Sequence, residues 1–380
     1  MSYEQPVSCL AAAASASSSA PATTVPVARA CDAKPLRARG RLRGALPGAG
    51  LALLASAMLV PGLAAADTLD TVRERGVVVC GVNENLPGFS RANSLGVWSG
   101  LDIDLCRAVA SAVFGDPEAA EFVPVSATER FEELAAGTYD VLARNTTWTL
   151  SRNAIHGEFV GVNYYDGQGF MVKNRSGIRS ALELDNRPIC LSRGTTTELN
   201  AIDFFAVGNM RYRPEYFEGA NEAARAYLAG ECDALTTDRS GLAAQRAGFE
   251  QPEAHQVLPE VISKEPLGPV VRAGDARWAN IVRWTLACMI NAEEMGLTQA
   301  NVRQRNAVRT PAARRLVGDE EDLGALLGLA PRWCAQVIRD VGNYAESYER
   351  NVGPDTPLAL ERGVNRLWTD GGLLYAPPVR

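Results

Sequence analysis

A unit that occurs twice constrains the fold of this chain more than any other feature. "ERFEELAAGTYDVLARN" and "NEAARAYLAGECDALTTDRSG" each combine an amphipathic helix, the turn Ala-Gly-x-x-Asp and a short apolar strand. A strand and a helix precede each unit, so strands and helices alternate, which is typical of parallel sheets covered by helices. We therefore expect an α/β protein with two similar lobes rather than one long sheet.

The segments around these units complete the expected architecture. A buried strand from Val77 to Val82 opens the first lobe, and "RPICLSRGTTTELNAIDFFA" supplies a strand, a glycine loop and a helix to the second. "GVNYYDGQGFMV" and "ISKEPLGPVV" flank the second unit as extended segments, which indicates two crossovers between the lobes. From about Asp275 onward the chain is predicted to be mostly helical and to cover the first lobe.

The first 66 residues have the pattern of a secretory signal. Four arginines between 37 and 43 precede an apolar run, Ala45–Val60, and the small-residue site Leu63-Ala64-Ala65-Ala66 follows. The apolar run is shorter than the roughly 20 residues of a spanning helix. We expect cleavage near Ala66 and export to the periplasm; the alternative is an uncleaved anchor.

The charge and the cysteine and histidine content exclude several classes of protein. Without residues 1–66 the chain retains 32 basic and 42 acidic side chains, a net charge near −10, so we expect no nucleic-acid partner. No Cys-x-x-Cys is present, and both histidines, His156 and His255, are predicted to be surface or loop residues. We therefore expect no metal, no cofactor and no histidine-based catalysis.

Several motifs resemble those of extracytoplasmic solute-binding proteins for polar amino acids, which serve ATP-driven importers. The resemblance runs from about Asp67 to Met295 through "SGLDIDLCRAVA", "NTTWTLSR" and "LTTDRSG". Longer motifs, including "ISKEPLGP" and "NYAESYERNVGP", are similar to the general L-amino acid-binding subgroup over the whole exported chain. The resemblance implies a bilobal periplasmic-binding-protein fold, with ligand between two α/β lobes joined by two crossover strands.

The expected division of the chain follows from this resemblance. The secretory segment is 1–66, the first part of lobe 1 is 67–169, lobe 2 is 170–264, and 265–380 returns to lobe 1 and adds a helical C-terminal extension. The implied partners are an L-amino acid, with broad specificity, and a membrane permease, and we expect a monomer. Closure of the two lobes around a ligand is expected to create the surface that docks on the permease.

In lobe 1 the resemblance places the ligand at the segment 144–152, "RNTTWTLSR". Arg152 is expected to bind the ligand carboxylate, because a guanidinium fork matches a carboxylate. Thr147 would offer its hydroxyl and N–H, and Asn145 would lie near the ammonium. We expect Arg144 to be structural and Trp148 to pack rather than bind. The competing interpretation of Arg152 is a surface salt bridge at a helix start.

In lobe 2 the resemblance points to the loops after two strands. "SRGTTTELN" puts Gly194, Thr195 and Thr196 just before a helix, where free N–H groups favour a carboxylate, so Thr196 is the expected backbone donor. Asp238, in "LTTDRSG", is the expected ammonium partner. For both Thr196 and Asp238 the competing interpretation is a plain helix N-cap.

One departure from the resemblance concerns the breadth of specificity. Narrow-specificity relatives often have an aromatic wall after the first strand, whereas here "NENLPGF" places Asn83 and Glu84 there. A polar wall suits side chains of many sizes, and Glu84 would attract basic ligands. Phe89 and Trp98 either fold over the cleft or belong to the core of the lobe.

Two other functions remain open from the sequence. A periplasmic lyase or dehydratase on the same fold would need a positioned acid or base, and Glu84 is the single candidate. A ligand-sensing module that docks on a receptor instead of a permease is the other. We expect a binding protein and not an enzyme.

The lobe arrangement also sorts the cysteines that follow residue 66. We predict the disulfides Cys80–Cys106 in lobe 1 and Cys190–Cys232 in lobe 2, with Cys190 and Cys232 both on strands. Each is expected to stabilise the fold by roughly 2–4 kcal/mol. Cys288 and Cys334, in predicted helices, either form a third pair or remain buried thiols.

Overall fold

The computed structural model describes residues 67–380, so the predicted secretory segment, 1–66, lies outside the described residues. Within 67–380 the backbone forms eleven α-helices and fourteen strands. The helices are α1 Thr68–Arg75, α2 Leu101–Phe114, α3 Arg130–Ala136, α4 Leu150–Ile155, α5 Thr196–Val207, α6 Ala220–Ala229, α7 Arg239–Ala247, α8 Ala276–Glu294, α9 Pro311–Leu316, α10 Trp333–Asp340 and α11 Tyr344–Asn351. The strands are β1 Val78–Val82, β2 Arg91–Ala92, β3 Trp98–Ser99, β4 Ala120–Pro124, β5 Val141–Leu142, β6 Glu158–Phe159, β7 Tyr164–Asp166, β8 Gln168–Lys173, β9 Pro188–Ser192, β10 Arg213–Phe217, β11 Ala234–Asp238, β12 His255–Val257, β13 Glu265–Leu267 and β14 Val270–Val271.

Two five-stranded sheets define the two lobes, which confirms the predicted bilobal α/β fold. Lobe 1 is built on the order β4-β1-β5-β14-β6, and lobe 2 on the order β10-β9-β11-β8-β12. In each, the first long strand (β1 or β9) lies between two parallel partners. These partners include the strands that end the two repeated units, β5 and β11, so the repeat in the sequence corresponds to a repeat in the fold.

The connections between the lobes are the two predicted crossover segments. Their strands β7 and β13 pair antiparallel, with Tyr164 opposite Leu267. The segments also approach closely beside this ribbon, because a Cβ atom on Gly268 would lie 2.0 Å from the carbonyl oxygen of Gly161. Strand β8 begins at Gln168, two residues before the start expected for lobe 2.

The disulfides lie within the lobes. Cys80 is joined to Cys106 and Cys190 to Cys232, the two predicted pairs, and Cys288 on α8 is joined to Cys334 on α10. The expectation that Cys232 lies on a strand is wrong. It occupies the turn before β11, which begins at Ala234.

The C-terminal extension, defined here as residues 301–380, packs on lobe 1. Apolar residues of α10 and α11 share one buried core with α2 and α8. Helix is less extensive there than the periodicity predicts. Gly342, with φ of 100°, separates α10 from α11, and only short 3-10 turns follow Asn351, where Gly353, Pro354 and Pro357 break the helical pattern.

Burial decides the positions of two aromatic side chains, Phe89 and Trp98, and of the two histidines. Phe89 is buried in the core and Trp98 packs against Phe122, so neither covers the cleft. His156 is exposed, as expected. The expectation for His255 is wrong, because β12 pairs with β8 and leaves this histidine buried, with Nδ1 2.7 Å from the hydroxyl of Tyr227.

Candidate functional site

The predicted binding loops of the two lobes meet face to face. The hydroxyl oxygens of Thr147 in lobe 1 and Thr196 in lobe 2 lie 3.3 Å apart. A second contact joins the lobes, because Arg130 donates from Nη2 to the carbonyl oxygen of Gly194 at 3.4 Å. These loops follow the carboxyl ends of β5 and β9, which is where ligands bind in sheets of this type.

Local hydrogen bonds place Arg152 toward this contact. Thr149 caps helix α4 by accepting from the backbone N–H of Arg152 at 3.2 Å. Arg152 Nη1 then donates to the carbonyl oxygen of Thr147 at 3.0 Å. Burial lowers the pKa of Arg152, and the guanidinium has no carboxylate within 4.0 Å among residues 67–380. Its remaining N–H groups are therefore suited to a ligand carboxylate, and a surface salt bridge does not explain its position.

Trp148 packs as expected, whereas Arg144, expected to be structural, supports the loop and also lines a polar cavity. Arg144 donates from Nε to the carbonyl oxygen of Val125 at 2.8 Å, and burial lowers its pKa to about 10. The ring of Trp148 stacks on Phe159 with centroids 5.6 Å apart, while Thr147 beside it is buried.

Asn145 is held in a left-handed conformation by a carboxylate that the sequence argument missed. Its φ is 38°, and its backbone N–H donates to Asp102 Oδ2 at 2.9 Å. Asn83 donates from Nδ2 to Asn145 Oδ1 at 3.1 Å, so two predicted site residues touch. Burial raises the pKa of Asp102 to about 6. Asp102 lies in "SGLDIDLCRAVA", where the periodicity indicates only a helix, and no local signal marks it.

In lobe 2 the start of helix α5 is open toward the cleft. Gly194 has φ of 67°, and Thr195 occupies the N-cap position without a side-chain cap, because its hydroxyl donates to Ser192 O at 2.9 Å. The first N–H groups of α5 therefore have no capping side chain. Thr196 donates its hydroxyl proton to Glu265 Oε2 at 3.0 Å.

Three carboxyl groups come together beside this helix start. Asp238 lies at the N-cap position of α7 but makes no capping hydrogen bond, and it is 7% exposed. Burial, with Asp166 and Glu265 nearby, raises its pKa well above the ordinary range. The Asp166 carboxylate accepts from the backbone N–H of Ser240 at 3.1 Å, and burial raises its pKa to about 6. Such a group of acids favours a cationic ligand group, and helix capping does not explain Asp238.

Asp166, Glu265 and Arg130 were also missed by the sequence argument. Asp166 and Glu265 lie opposite each other on β7 and β13, and both were covered only by the prediction of extended crossovers. Arg130 begins α3 and had no predicted role. It is 3% exposed, and its Nε has no hydrogen-bond partner in the part of the chain that the structure describes.

A polar cavity of about 390 Å³ adjoins these groups. It is lined by four predicted residues, Asn83, Glu84, Asn145 and Thr195. Its wall also contains Arg144, which was expected to be structural, and three charged residues that were not predicted, Glu218, Glu222 and Arg225. The other predicted residues lie outside this cavity, around the Thr147–Thr196 contact. The predicted set thus divides into a largely buried group around Arg152 and Asp238 and a more open polar group beside it.

The described residues contain no cluster of three or more His, Cys, Asp or Glu side chains arranged to hold a metal ion. In the same range of the chain, 67–380, no helix combines the length and the hydropathy needed to cross a bilayer.

Comparisons with known proteins agree on one class. Residues 78–300 match the bacterial extracellular solute-binding proteins, family 3. The general L-amino acid-binding periplasmic protein AapJ of Rhizobium johnstonii is 50% identical over 334 residues, 87% of this chain and 98% of that protein. The glutamate/glutamine/aspartate/asparagine-binding protein BztA of Rhodobacter capsulatus is 48% identical over 329 residues, 86% of this chain and 97% of that protein.

A solved structure extends the similarity to three dimensions. The ABC transporter/periplasmic binding protein from Brucella ovis with glutathione bound has a TM-score of 0.81 and 52% sequence identity. The match covers 83% of this chain and 100% of that one.

Proposed function

The chain belongs to family 3 of the bacterial extracellular solute-binding proteins, and on this premise we propose that it binds L-amino acids between its lobes. It delivers them to the membrane permease of an ATP-driven importer. The observation that carries the proposal is the opposition of charges across the cleft, with Arg152 and Thr147 on one side and Asp238 and Thr196 on the other. An α-amino acid has the two complementary groups on one carbon.

In the proposed complex the ligand carboxylate lies between the guanidinium of Arg152 and the start of helix α5. The guanidinium offers a charged fork, and the helix offers uncapped N–H groups at Thr196. The ligand ammonium lies against Asp238, which has no capping hydrogen bond to give up. The ligand side chain then extends into the polar cavity, toward Asn83 and Glu84.

Broad specificity is part of the proposal. The cavity wall contains amide and charged side chains of both signs, so it suits ligands of different polarity. It is larger than a single small side chain requires. The amino acid-binding relatives with about 50% identity support this class of ligand.

Thermal unfolding of residues 67–380 with each of the twenty L-amino acids tests the proposal. Before the measurement the protein is unfolded and refolded, which removes any ligand that copurifies. A ligand at about a thousand times its Kd stabilises the fold by roughly 4 kcal/mol, which raises the midpoint visibly. We expect shifts with several L-amino acids that Arg152→Ala abolishes. The absence of a shift with every amino acid would contradict the proposal.

Glutathione is a second candidate ligand, favoured by the volume of the cavity. It consists of a glutamate-like head joined to two further residues, and a cavity of about 390 Å³ leaves space beyond the head. The Brucella ovis relative with glutathione bound supports this candidate. Thermal unfolding is measured separately with reduced glutathione, with γ-glutamylcysteine and with L-glutamate, to compare the peptide ligands with the free amino acid. A larger shift with glutathione than with L-glutamate favours the peptide.

We also propose a non-enzymatic role. Glu84, the single acid nominated for catalysis, is exposed, and no hydrogen bond links it to a second acid or base among the described residues. The competing functions are a lyase or dehydratase and a receptor-docking sensor. Recovery of unchanged L-glutamate after prolonged incubation with the protein tests the enzyme, because turnover would consume it. The membrane protein that the ligand-bound chain captures tests the sensor: a permease supports the importer, and a receptor supports the sensor.

The remaining proposals concern processing and assembly. Residues 1–66 are removed on export to the periplasm, and the chain divides into 67–169, 170–264 and 265–380 as stated above. The exported binding protein acts as a monomer. Intact mass measurement of the exported protein checks the new N-terminus, expected at Asp67. Light scattering of the same sample checks the monomer.

A further inference from the structure

The C-terminal extension contacts the first crossover through two side chains that the binding site does not use. The hydroxyl of Tyr344 donates to the carbonyl oxygen of Asn163 at 2.7 Å. Asn365 accepts from the backbone N–H of Tyr165 at 2.7 Å and donates to the carbonyl oxygen of the same residue at 2.9 Å. Both side chains are buried, with Tyr344 0% and Asn365 3% exposed.

Asn365 completes the edge of a strand that would otherwise have unpaired groups. Strand β7 pairs with β13 on one edge, where Tyr165 lies opposite Pro266. Both backbone groups of Tyr165 point to the other edge, and the Asn365 amide binds the two of them, as a third strand would. Buried backbone groups without a partner are strongly unfavourable, so this contact fixes the crossover at Tyr165.

A relay of hydrogen bonds leads from Tyr344 to the lobe 1 side of the candidate site. Tyr344 holds the carbonyl of Asn163, whose Nδ2 donates to Asp102 Oδ1 at 3.3 Å. The other oxygen of Asp102 accepts from the backbone N–H of Asn145 at 2.9 Å. Asn145 is a proposed ligand residue in a left-handed conformation, which a non-glycine residue keeps only when its surroundings enforce it.

A second relay leads from Asn365 to the lobe 2 side. The residue after Tyr165 is Asp166, whose carboxylate accepts from the backbone N–H of Ser240, two residues beyond Asp238. Across the crossover ribbon Asp166 lies opposite Glu265, which accepts from Thr196. Movement of the backbone at Tyr165 would therefore shift the acids that surround Asp238.

The extension itself has a firm base on lobe 1. Arg362 forms an ion pair with Glu293 of α8 at 2.9 Å, and both side chains are less than 15% exposed. Its guanidinium also lies 5.3 Å from the ring centroid of Tyr344. On the other side Arg350 donates to Asp104 of α2 at 2.7 Å. Because these contacts do not involve the crossover, they give Tyr344 and Asn365 a fixed support.

We propose that Tyr344 and Asn365 are positioning residues for the ligand site, acting through Asn163 and Tyr165. They fix the crossover from which Asp102 and Asp166 orient the two halves of the site. The expected effect of these residues on amino acid affinity rests on the proposed function. Their expected effect on the ligand-free site does not depend on that function.

The test uses two variants, each with a matched control in the same extension. Tyr344→Phe removes the hydroxyl that reaches Asn163, and Ser347→Ala removes an equally buried hydroxyl that donates to Asp104 of α2 and not to the crossover. Asn365→Ala removes the amide on Tyr165. Its control, Asn343→Ala, removes an equally buried amide that bonds to Leu297 and Glu346.

Two readouts are measured on residues 67–380. The first is the Kd for L-glutamate by calorimetry. The second is amide hydrogen exchange of the ligand-free protein in peptides that contain Asn145 and Ser240. We expect Tyr344→Phe and Asn365→Ala to raise the Kd about tenfold and to accelerate exchange in both peptides. The controls are expected to change the Kd less than about twofold, although all four variants lose some thermal stability.

The positioning role is wrong if exchange at Asn145 and Ser240 is the same in the variants and their controls. It is equally wrong if the controls weaken binding as much as the variants do. A wild-type protein that binds none of the twenty amino acids overturns the proposed function instead. In that case the exchange comparison alone decides the positioning role.

Discussion

The hydroxyl oxygens of Thr147 and Thr196, which belong to different lobes, lie 3.3 Å apart. Thr196 donates its one hydroxyl proton to Glu265 at 3.0 Å, so in their contact Thr147 is the donor and Thr196 the acceptor. The direction of this bond has a consequence for binding. We expect a ligand carboxylate beside Arg152 to replace Thr196 as the acceptor of this hydrogen bond, which then becomes charge-assisted.

Replacement of Thr147 by valine removes this donor with little change of shape. A hydrogen bond to a charged group contributes about 1.5–3 kcal/mol, so we expect the Kd for every amino acid ligand to rise roughly 10- to 100-fold. Titration calorimetry measures the change. Thr285→Val is the control, because Thr285 is buried but bonds to Ile281 within α8. Equal effects of the two substitutions on Kd would contradict a role for Thr147 in binding.

Asp238→Asn is expected to move affinity and stability in opposite directions. The free carboxylate is destabilised by burial and by Asp166 and Glu265, so its removal is expected to stabilise the unliganded protein at pH 7. The ligand ammonium loses its charged partner, and breaking such a buried pair costs about 3–5 kcal/mol, a rise in Kd of a hundredfold or more. Chemical denaturation and calorimetry measure the two quantities. Affinity within a factor of two of wild type would place the ammonium elsewhere.

Affinity is expected to depend on pH through the same acids. Asp238 has a raised pKa and must be ionised to hold an ammonium, and the pKa of Asp166 is about 6. Protons on these groups compete with the ligand, so the Kd should rise as the pH falls below about 6. Binding near that pH should release protons, which calorimetry detects in buffers of different ionisation enthalpy. A Kd that stays constant between pH 7 and pH 5 would contradict this coupling.

The stability of the ligand-free protein depends on pH in the opposite direction to its affinity. The folded pKa values of Asp102 and Asp166, about 6, lie above the ordinary value of 3.8. Groups of this kind contribute stability that is present at acid pH and is lost as the pH rises through about 6. These two acids therefore favour the unliganded fold below pH 6, in the range where the ligand binds less tightly. Unfolding curves with and without ligand should converge there.

Gly268→Ala tests the close approach of the two crossovers. Its Cβ would lie 2.0 Å from the Gly161 carbonyl oxygen, which is backbone and cannot rotate away. The N–H of Gly268 also donates to Thr146 O at 3.0 Å, next to Thr147. We expect this variant to lose several kcal/mol of stability and to bind amino acids more weakly. Gly248→Ala is the control, because neither glycine has a positive φ and a Cβ on Gly248 would come no closer than 3.4 Å to another atom.

The site residues predicted from sequence lie in the motifs that carry the family resemblance. Asp238 ends β11, Thr196 begins α5 and Arg152 lies on α4, and the fold brings the three elements together. Asp102 and Glu265 were not predicted, because their partners Asn145 and Thr196 lie 43 and 69 residues away in sequence. Their roles depend on how one segment lies over another, which periodicity does not encode.

The same reason explains the incorrect expectations. His255 stands in a polar stretch that resembles a loop, and only the pairing of β12 with β8 buries it. Arg130 had no predicted role, because the approach of lobe 2 at Gly194 that accompanies its burial is not visible in the local pattern. Disulfide pairing was easier to predict, because the repeated lobes already divided Cys80 and Cys106 from the cysteines of lobe 2.

The sheet order dictates when each part of the molecule is able to form during synthesis. All strands of the lobe 2 sheet lie between Gln168 and Val257, so this sheet is complete when that stretch has emerged. The lobe 1 sheet begins earlier in the chain but waits for Val270 of β14. The edge of β7 waits longest, for Asn365, fifteen residues from the end. The contact that fixes the first crossover at Tyr165 is thus able to form only after both sheets are complete.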